Sequence, residues 1–216
     1  SYAFESAYAG LLFGVLSAMI ASCIFAVFVL IFKSTPVIVG IALNLAAWGG
    51  TTYLLSMIFK TRGVFIDPRI KSFGSIDIPL IKDIPYIGKF LSGQNILVYL
   101  SLVFMIIAYI IMFKTPFGLR LRGVGIKKIA AQTVGVNATK YQFIAILIGG
   151  MLCGFGGSFL TIGGSSMFTE NISAGKGFLA LAAIMVGDGH PLKTALACFV
   201  FGYTEAISVS LQSVGL

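Results

Sequence analysis

The sequence predicts an all-α, polytopic helical membrane protein, and its composition and run lengths are the observations behind that prediction. Of 216 residues, 58% are hydrophobic and only 10% are charged, whereas soluble domains carry about 25% charged residues. The mean hydropathy is +1.01. A membrane-spanning helix needs about 20 mostly apolar residues to cross about 30 Å of hydrocarbon. We therefore expect a single transmembrane domain over residues 1–216.

Four apolar runs are long enough to cross a membrane: residues 8–32, 37–59, 96–113 and 143–162. The residues Ser34-Thr35-Pro36 predict the start of the second span, because a hydroxyl caps free amides and Pro fits the first turn. Asn95 is a candidate cap for the third span. In the fourth span, the GxxxG spacing from Gly150 to Gly154 allows another helix to approach closely.

The C-terminal part predicts a half-helix at 178–187 and a further span at 192–211, separated by a polar break at 187–191. Ten residues rise only about 15 Å, so the pattern favours a broken or re-entrant helix whose polar backbone is covered by protein or water. A surface turn between two helices is the alternative. Asp188 and His190 are candidate gate residues, although polar residues also gather wherever a helix ends.

The loop at 114–141 sets the orientation, because it carries six Lys and Arg residues and no acid. The positive-inside rule places this loop in the cytoplasm. Alternation then places Lys33 inside and the segments 61–95 and 163–177 outside. Since basic residues fall mainly between the apolar runs, the formal charge of +8 indicates membrane topology, and the expected partner is the lipid bilayer, not nucleic acid.

Within this loop, residues 126–134 predict a short amphipathic helix. Ile126, Ile129, Ala130 and Thr133 share one face. Such a helix either lies on lipid headgroups, anchored by its lysines, or docks into a groove on a partner protein. The residue pattern leaves both readings open. Asn137 or Thr139 is expected to cap the span that follows.

Two polar features lie within the spans. Asn44, Trp48 and Thr51 share a face of the second span, which we expect to look into the bundle, either lining a solute path or hydrogen-bonding neighbouring helices for about 0.6 kcal/mol each. Glu205 lies in the last apolar run, where a carboxylate costs roughly 2.5 to 3.5 kcal/mol at the helix centre. It is expected to face polar company, in a structural or a functional role.

Enzyme and metal motifs are not apparent. His190 is the chain's one histidine and has no second His or Cys nearby, so no metal site and no catalytic residue is predicted. The run Ala174-Gly175-Lys176-Gly177 lacks the Ser or Thr that a phosphate loop carries after its Lys. We expect a non-catalytic subunit that holds no cofactor of its own.

Residues 115–125, 130–131 and 133–137 closely resemble the cytoplasmic loop of ABC importer permeases of the ribose, branched-chain amino acid and nucleoside type. Residues 149–157 and 170–183 are most similar to the nucleoside branch. The resemblance implies the transmembrane-domain fold of these importers. Because family members carry further spans before the first one here, it also implies that this chain is truncated at its N-terminus.

The resemblance implies that residues 126–134 form the coupling helix, which decides between lipid and protein in favour of protein. The residues expected to couple to the ATPase are Gly125, Ile126, Lys127, Lys128, Ile129, Ala130, Ala131, Thr133 and Gly135. ATP and Mg²⁺ would bind to partner ATP-binding subunits in the cytoplasm. A second permease subunit, the same or related, and an external substrate-binding lipoprotein are the other expected partners.

The predicted function is that of a permease subunit in an ATP-driven importer of a nucleoside or related sugar, in a bacterial plasma membrane. The residues expected to line the path are Asn44, Trp48, Thr51, Phe168, Glu170 and Asn171. The alternative is an ATP-independent secondary transporter or channel, for which a broken helix and an intramembrane carboxylate such as Glu205 are expected ingredients.

Overall fold

The computed structural model describes residues 7–60, 64–66, 95–164, 167–169 and 171–213. Its helices are α1 Ala7–Ala26, α2 Pro36–Phe59, α3 Ile96–Lys114, α4 Pro116–Ile126, α5 Lys128–Thr133, α6 Ala138–Ser158, α7 Lys176–Val186 and α8 Pro191–Ser213. Helices α1 and α6 continue in π-helical turns, Val27–Ile31 and Phe159–Gly164, and two short strands are β1 Val64–Ile66 and β2 Met167–Thr169. Among the described residues, five helices are long and apolar enough to cross a membrane. The protein is an all-α polytopic membrane protein, as predicted.

Helices α1 and α6 form the most extensive pair of the bundle and run antiparallel. Gly154 is buried, and a Cβ placed on it would lie 2.7 Å from Val15 Cα and 3.1 Å from Ala18 Cβ. One turn away, Gly150 meets Ser22 in the same way. The predicted GxxxG contact is thus confirmed, because both glycines allow the two backbones to come closer than any side chain would permit.

The outer ends of α1, α3 and α6 meet in a small apolar cluster of Ala7, Leu97 and Ile162, each less than a tenth exposed. Asn95 caps α3 as predicted: its Oδ1 accepts a hydrogen bond from the Leu97 amide at 3.1 Å. Its Nδ2 donates to the Gly163 carbonyl at 3.1 Å. One amide side chain therefore both starts α3 and ties it to the end of α6.

Strands β1 and β2 pair antiparallel, with Phe65 opposite Phe168. The first strand belongs to the connection between α2 and α3, and the second follows α6. Alternation of the spans assigns both connections to the outer side, so their pairing is consistent with that topology.

The C-terminal helices form an antiparallel hairpin. A turn with Asp188 and Gly189 at positive φ, 52° and 65°, ends α7, and the Gly189 amide donates to the Ile184 carbonyl at 3.1 Å. A Cβ on Gly187 would lie 2.6 Å from the Thr194 nitrogen, so the two helices approach closely at the turn. Since the 11 residues of α7 rise only about 16 Å, α7 is a half-length helix beside the longer α8.

The level of the polar break differs from the expectation of polar backbone at membrane depth near 187–191. The His190 ring lies 4.8 Å from the Phe113 ring, centroid to centroid, and Phe113 is next to the last residue of α3. The break therefore lies near the cytoplasmic end of the bundle. The turn at 171–175, which precedes α7, lies at the opposite end of this half-length helix.

Candidate cytoplasmic coupling surface and solute path

Three large apolar side chains protrude around α5 on the cytoplasmic side. Ile126 is 87% exposed, Ile129 is 73% exposed and Val134 is 77% exposed. We call these three residues, with Ala130 and Thr133, the coupling surface. No residue of the described part of the chain buries them, and Lys127 and Lys128 beside them are exposed as well. A cluster of uncovered apolar side chains is typical of a surface that binds a protein or a membrane.

The helix that carries this surface begins two residues later than the periodicity predicts. Ile126 is the last residue of α4, and Lys127 is extended, with φ −149° and ψ 93°, so that α5 begins at Lys128. The spacing of apolar residues does not reveal this break, because a single extended residue leaves Ile126 and Ile129 both exposed. The coupling surface is therefore formed by the end of one helix and the whole of the next.

Gly135 and Asn137 join α5 directly to α6. Gly135 has a φ of 81°, and the Val136 amide donates to the Ala131 carbonyl at 3.0 Å, which is the pattern by which glycine closes a helix. Asn137 Oδ1 then accepts from the Lys140 amide at 3.2 Å, which confirms the predicted cap of the following span. Only four residues separate the two helices.

Helix α4, which the sequence analysis did not predict, connects α5 to α3. Thr115 Oγ1 accepts from the Gly118 amide at 3.2 Å, with Pro116 as the first helical residue. The Thr-Pro pair is the signal that would have identified this helix, since the same pair starts α2. Within α4, Val124 is only 3% exposed.

Arg120 fastens α4 to α6. Its guanidinium donates to the Tyr141 hydroxyl at 3.0 Å, and the Phe117 and Tyr141 rings lie 5.5 Å apart, centroid to centroid. The hydrogen bond with Tyr141 raises the pKa of Arg120 above its already high usual value, so this side chain stays charged at physiological pH. The coupling surface is thus framed by α4 on one side and α6 on the other.

An aromatic cluster links α3 and α4 to the turn of the hairpin. The His190 ring lies 4.8 Å from Phe113 and 5.9 Å from Tyr109, and the Arg122 guanidinium carbon lies 4.5 Å from the centre of the Phe113 ring. Of the two predicted gate residues, His190 contacts α3, whereas Asp188 is exposed in the turn. The cluster thus connects α3 and α4 with the turn between α7 and α8.

The predicted path residues fall into two groups. Asn44, Trp48 and Thr51 lie on α2 and are exposed, Trp48 by 53%, so the described helices leave this face uncovered instead of enclosing it as expected. Thr51 Oγ1 donates within its own helix, to the Ala47 carbonyl at 2.7 Å. Phe168 lies in β2 and Asn171 begins the turn before α7 with a φ of 56°. Glu170 lies outside the described residues.

An ion pair joins the two helices of the hairpin. Lys176 Nζ donates to Glu205 Oε1, and the two side chains are 39% and 46% exposed. Glu205 therefore has a polar partner, as expected from the free-energy cost of a carboxylate in hydrocarbon. Its partner was not foreseen, because the partner lies 29 positions away in the sequence.

Comparison with known proteins assigns the family. The profile of the family described as "Branched-chain amino acid transport system / permease component" matches residues 1–214. The chain is a member of this permease family. It is 33% identical over 199 residues to the guanosine ABC transporter permease protein NupQ of Bacillus subtilis, with 90% of this chain and 62% of NupQ covered.

Two other relatives extend the comparison. The nucleoside ABC transporter permease protein NupC of Lactococcus lactis is 34% identical over 200 residues, which cover 92% of this chain and 62% of NupC. A putative glucose ABC transporter permease protein of Haloferax volcanii is 24% identical over 207 residues, which cover 94% of this chain and 61% of that protein. The chain thus spans about three fifths of the length of these relatives. No solved structure matches it significantly.

The family and the five apolar helices identify this permease as a multi-pass protein of the plasma membrane. Membership of this family explains why the loop at 114–141 resembles that of ABC importer permeases and why residues 149–157 and 170–183 resemble nucleoside permeases.

Proposed function

We propose that this permease is the membrane subunit of an ATP-driven importer and carries nucleosides across the plasma membrane. The observation that supports it most is the coupling surface: large apolar side chains exposed in the cytoplasm, on a helix joined to two spanning helices. Membership of the permease family and one-third identity to a guanosine and a nucleoside permease support the reaction and the substrate class.

In this proposal the coupling surface contacts a cytoplasmic ATP-binding subunit. Ile126 and Ile129 enter an apolar cleft of the partner, while Lys127 and Lys128 remain at the rim, where charged contacts favour correct docking. ATP and Mg²⁺ bind in that partner, and this chain makes and breaks no covalent bonds. Its role is to transmit movement.

Transmission follows from the contacts around α5. When the ATPase closes, α5 moves with it, and the four-residue connection to α6 and the Arg120–Tyr141 hydrogen bond carry the displacement into the spanning helices. The Phe113–His190 contact carries it to the hairpin. Alternating access requires such a rigid connection, because a flexible link would absorb the movement.

A second permease subunit, the same or related, would cover the uncovered face of α2 and complete the path. There Trp48 would stack on the flat base of a nucleoside, and the Asn44 amide and Thr51 hydroxyl would bond its polar edges. Phe168, Glu170 and Asn171 would lie near the outer mouth, where an external lipoprotein delivers the solute.

The decisive experiment is an Ile129→Glu substitution in the complete importer, with Thr139→Glu as the control. Thr139 is exposed on the same side of the membrane but lies outside the coupling surface. We expect the first variant to retain about tenfold less ATPase after purification in mild detergent, because a desolvated carboxylate in an apolar cleft costs more than about 1.4 kcal/mol. The control should retain the wild-type amount.

Guanosine uptake into proteoliposomes supplies the second measurement. Uptake by the wild-type importer should require ATP and should fall in parallel with ATPase retention. Uptake without ATP, from a preparation that brings no ATPase, would instead identify a secondary transporter or channel and would overturn the proposal.

A further inference from the structure

Helix lengths lead us to expect the Lys176–Glu205 pair inside the hydrocarbon region. Glu205 stands 14 positions after Pro191, or about 21 Å along α8 from the turn at the cytoplasmic end. Lys176 is the first residue of α7. A hydrocarbon core about 30 Å thick therefore contains both charged groups, in its outer half.

Each of the two side chains is more than a third exposed, so protein covers the pair only in part. Lipid is a poor neighbour for a half-exposed ammonium and carboxylate, because neither retains its hydration there. Pairing lowers this cost, but among the described residues neither side chain has a second side-chain partner, so further donors of Lys176 and acceptors of Glu205 remain to be satisfied. Water, or a polar solute, is the environment that satisfies them.

The face of α8 that bears Glu205 continues as a polar stripe toward the outer side. Ser208 and Gln212 follow at i+3 and i+7 and are exposed, so they share a face with Glu205. The opposite face of α8 carries large exposed apolar side chains: Leu196, Phe199, Tyr203 and Ile207. Large apolar side chains therefore prevail opposite the polar stripe, although Val209, which is 61% exposed, borders it.

The two helices of the hairpin differ in length, so that α8 extends beyond the start of α7. Helix α7 rises about 16 Å, whereas the 23 residues of α8 rise about 34 Å. Below Lys176 the two helices are in contact, with Ala183 fully buried and Gly187 buried against Thr194. Above Lys176, α7 no longer lies beside the stripe, and Ser208 and Gln212 are exposed there.

We infer that the Lys176–Glu205 pair is the polar floor of a water-filled recess on the outer side, where the transported solute is contacted. This inference rests on the proposed function and assigns a site on the α7–α8 hairpin in addition to the face of α2. The chemistry fits a neutral, polyhydroxylated solute. One hydroxyl donates to Glu205, its neighbour accepts from Lys176, and a net-neutral pair demands no counter-ion.

Two serines on opposite faces of α8 provide a matched test of the recess. Ser208 lies on the polar stripe, and Ser210 lies two positions further, on the apolar side, where its hydroxyl bonds the Ala206 carbonyl. In the complete importer, with Cys23, Cys153 and Cys198 replaced by Ala, Ser208→Cys and Ser210→Cys are each treated from outside with a membrane-impermeant methanethiosulfonate. We expect the first to react at least about tenfold faster, because only a hydrated thiolate is nucleophilic.

Guanosine should slow labelling of Ser208→Cys and leave Ser210→Cys unchanged. Equal rates at the two positions, or faster labelling of Ser210→Cys, would overturn the recess. Since labelling needs no transport, an importer that takes up no guanosine at all would refute the proposed function while leaving this comparison readable.

The contact with the solute is tested by uptake. Glu205→Gln should raise the KM for guanosine by about tenfold or more, because it removes a charge-assisted hydrogen bond. The double exchange Lys176→Glu with Glu205→Lys, which keeps the pair, guards against simple misfolding. It should fold like the wild type and still show a raised KM, since donor and acceptor are interchanged. If KM is unchanged in both variants and transport is intact, the ion pair only holds α7 and α8 together, and the solute contact is refuted.

Discussion

At the scale of single residues, the closest approach in the bundle depends on the absence of side chains. Gly154 faces Val15 and Ala18, and Gly14 faces Ser158, whose hydroxyl donates to the Gly154 carbonyl at 2.9 Å. In lipid, apolar burial supplies little drive for helix association, so packing and such local hydrogen bonds must stabilise the pair. The contact between α1 and α6 should therefore be sensitive to a single methyl group.

We predict that Gly154→Ala destabilises the protein, because the added Cβ would lie 2.7 Å from Val15 Cα, a backbone atom that cannot move alone. Overpacking of this kind costs about 1–3 kcal/mol, which should lower the midpoint of thermal unfolding in detergent by several degrees. Gly157→Ala is the control. A Cβ there has nothing within 4 Å, so the stability should be unchanged or slightly raised by helix propensity. Equal midpoints for the two variants would contradict a close α1–α6 contact.

At the scale of the helices and strands, apolar runs predicted where spans lie, and polar caps predicted where α3 and α6 begin. The pattern failed at α4, because Gly118, Gly123 and Gly125 and two arginines obscure any apolar stripe. It also could not pair Lys176 with Glu205 or β1 with β2, since such contacts depend on how distant segments meet. Caps and apolar runs predict where helices begin and lie, whereas the Lys176–Glu205 and β1–β2 contacts depend on how distant segments pack together.

The corner between α3 and α4 is the next element whose geometry can be tested. Gly118 is buried, and a Cβ on it would lie 2.6 Å from the Met112 carbonyl carbon. Gly118→Ala must therefore swing α4 away from α3 and misplace the coupling surface. We expect guanosine uptake by the complete importer to fall by about tenfold or more, since overpacking of about 1–3 kcal/mol acts directly on the coupling element.

Gly123→Ala is the matched control in the same helix, because a Cβ at that position has nothing within 4 Å. Its uptake should equal that of the wild type. If Gly118→Ala transports normally, α4 is not the rigid link between the coupling surface and α3.

At the scale of the whole molecule, the described helices include a set of exposed apolar side chains around α5, a hairpin of unequal helices, and an α2 whose polar and apolar side chains are both largely exposed. Asn44, Trp48 and Thr51 were predicted to face inward from their polarity alone. Polarity alone cannot show which neighbour covers a face when that neighbour belongs to another chain. The same reasoning explains why large apolar side chains such as Phe199, 75% exposed, line the outside of the bundle: lipid is their solvent.

The number of spans predicts on which side of the membrane each loop lies. Three spanning helices, α1 to α3, separate Tyr8 from Thr133, so the two residues must lie on opposite sides of the membrane. The six basic residues without an acid in the loop at 114–141 place Thr133 in the cytoplasm. In a background without native cysteines, Tyr8→Cys should react with an impermeant maleimide in intact cells. Thr133→Cys should react only in inverted vesicles or after permeabilisation. The reverse pattern would refute the orientation. Labelling of both residues from one side would refute an odd number of spans between them, and with it the topology on which the proposed coupling depends.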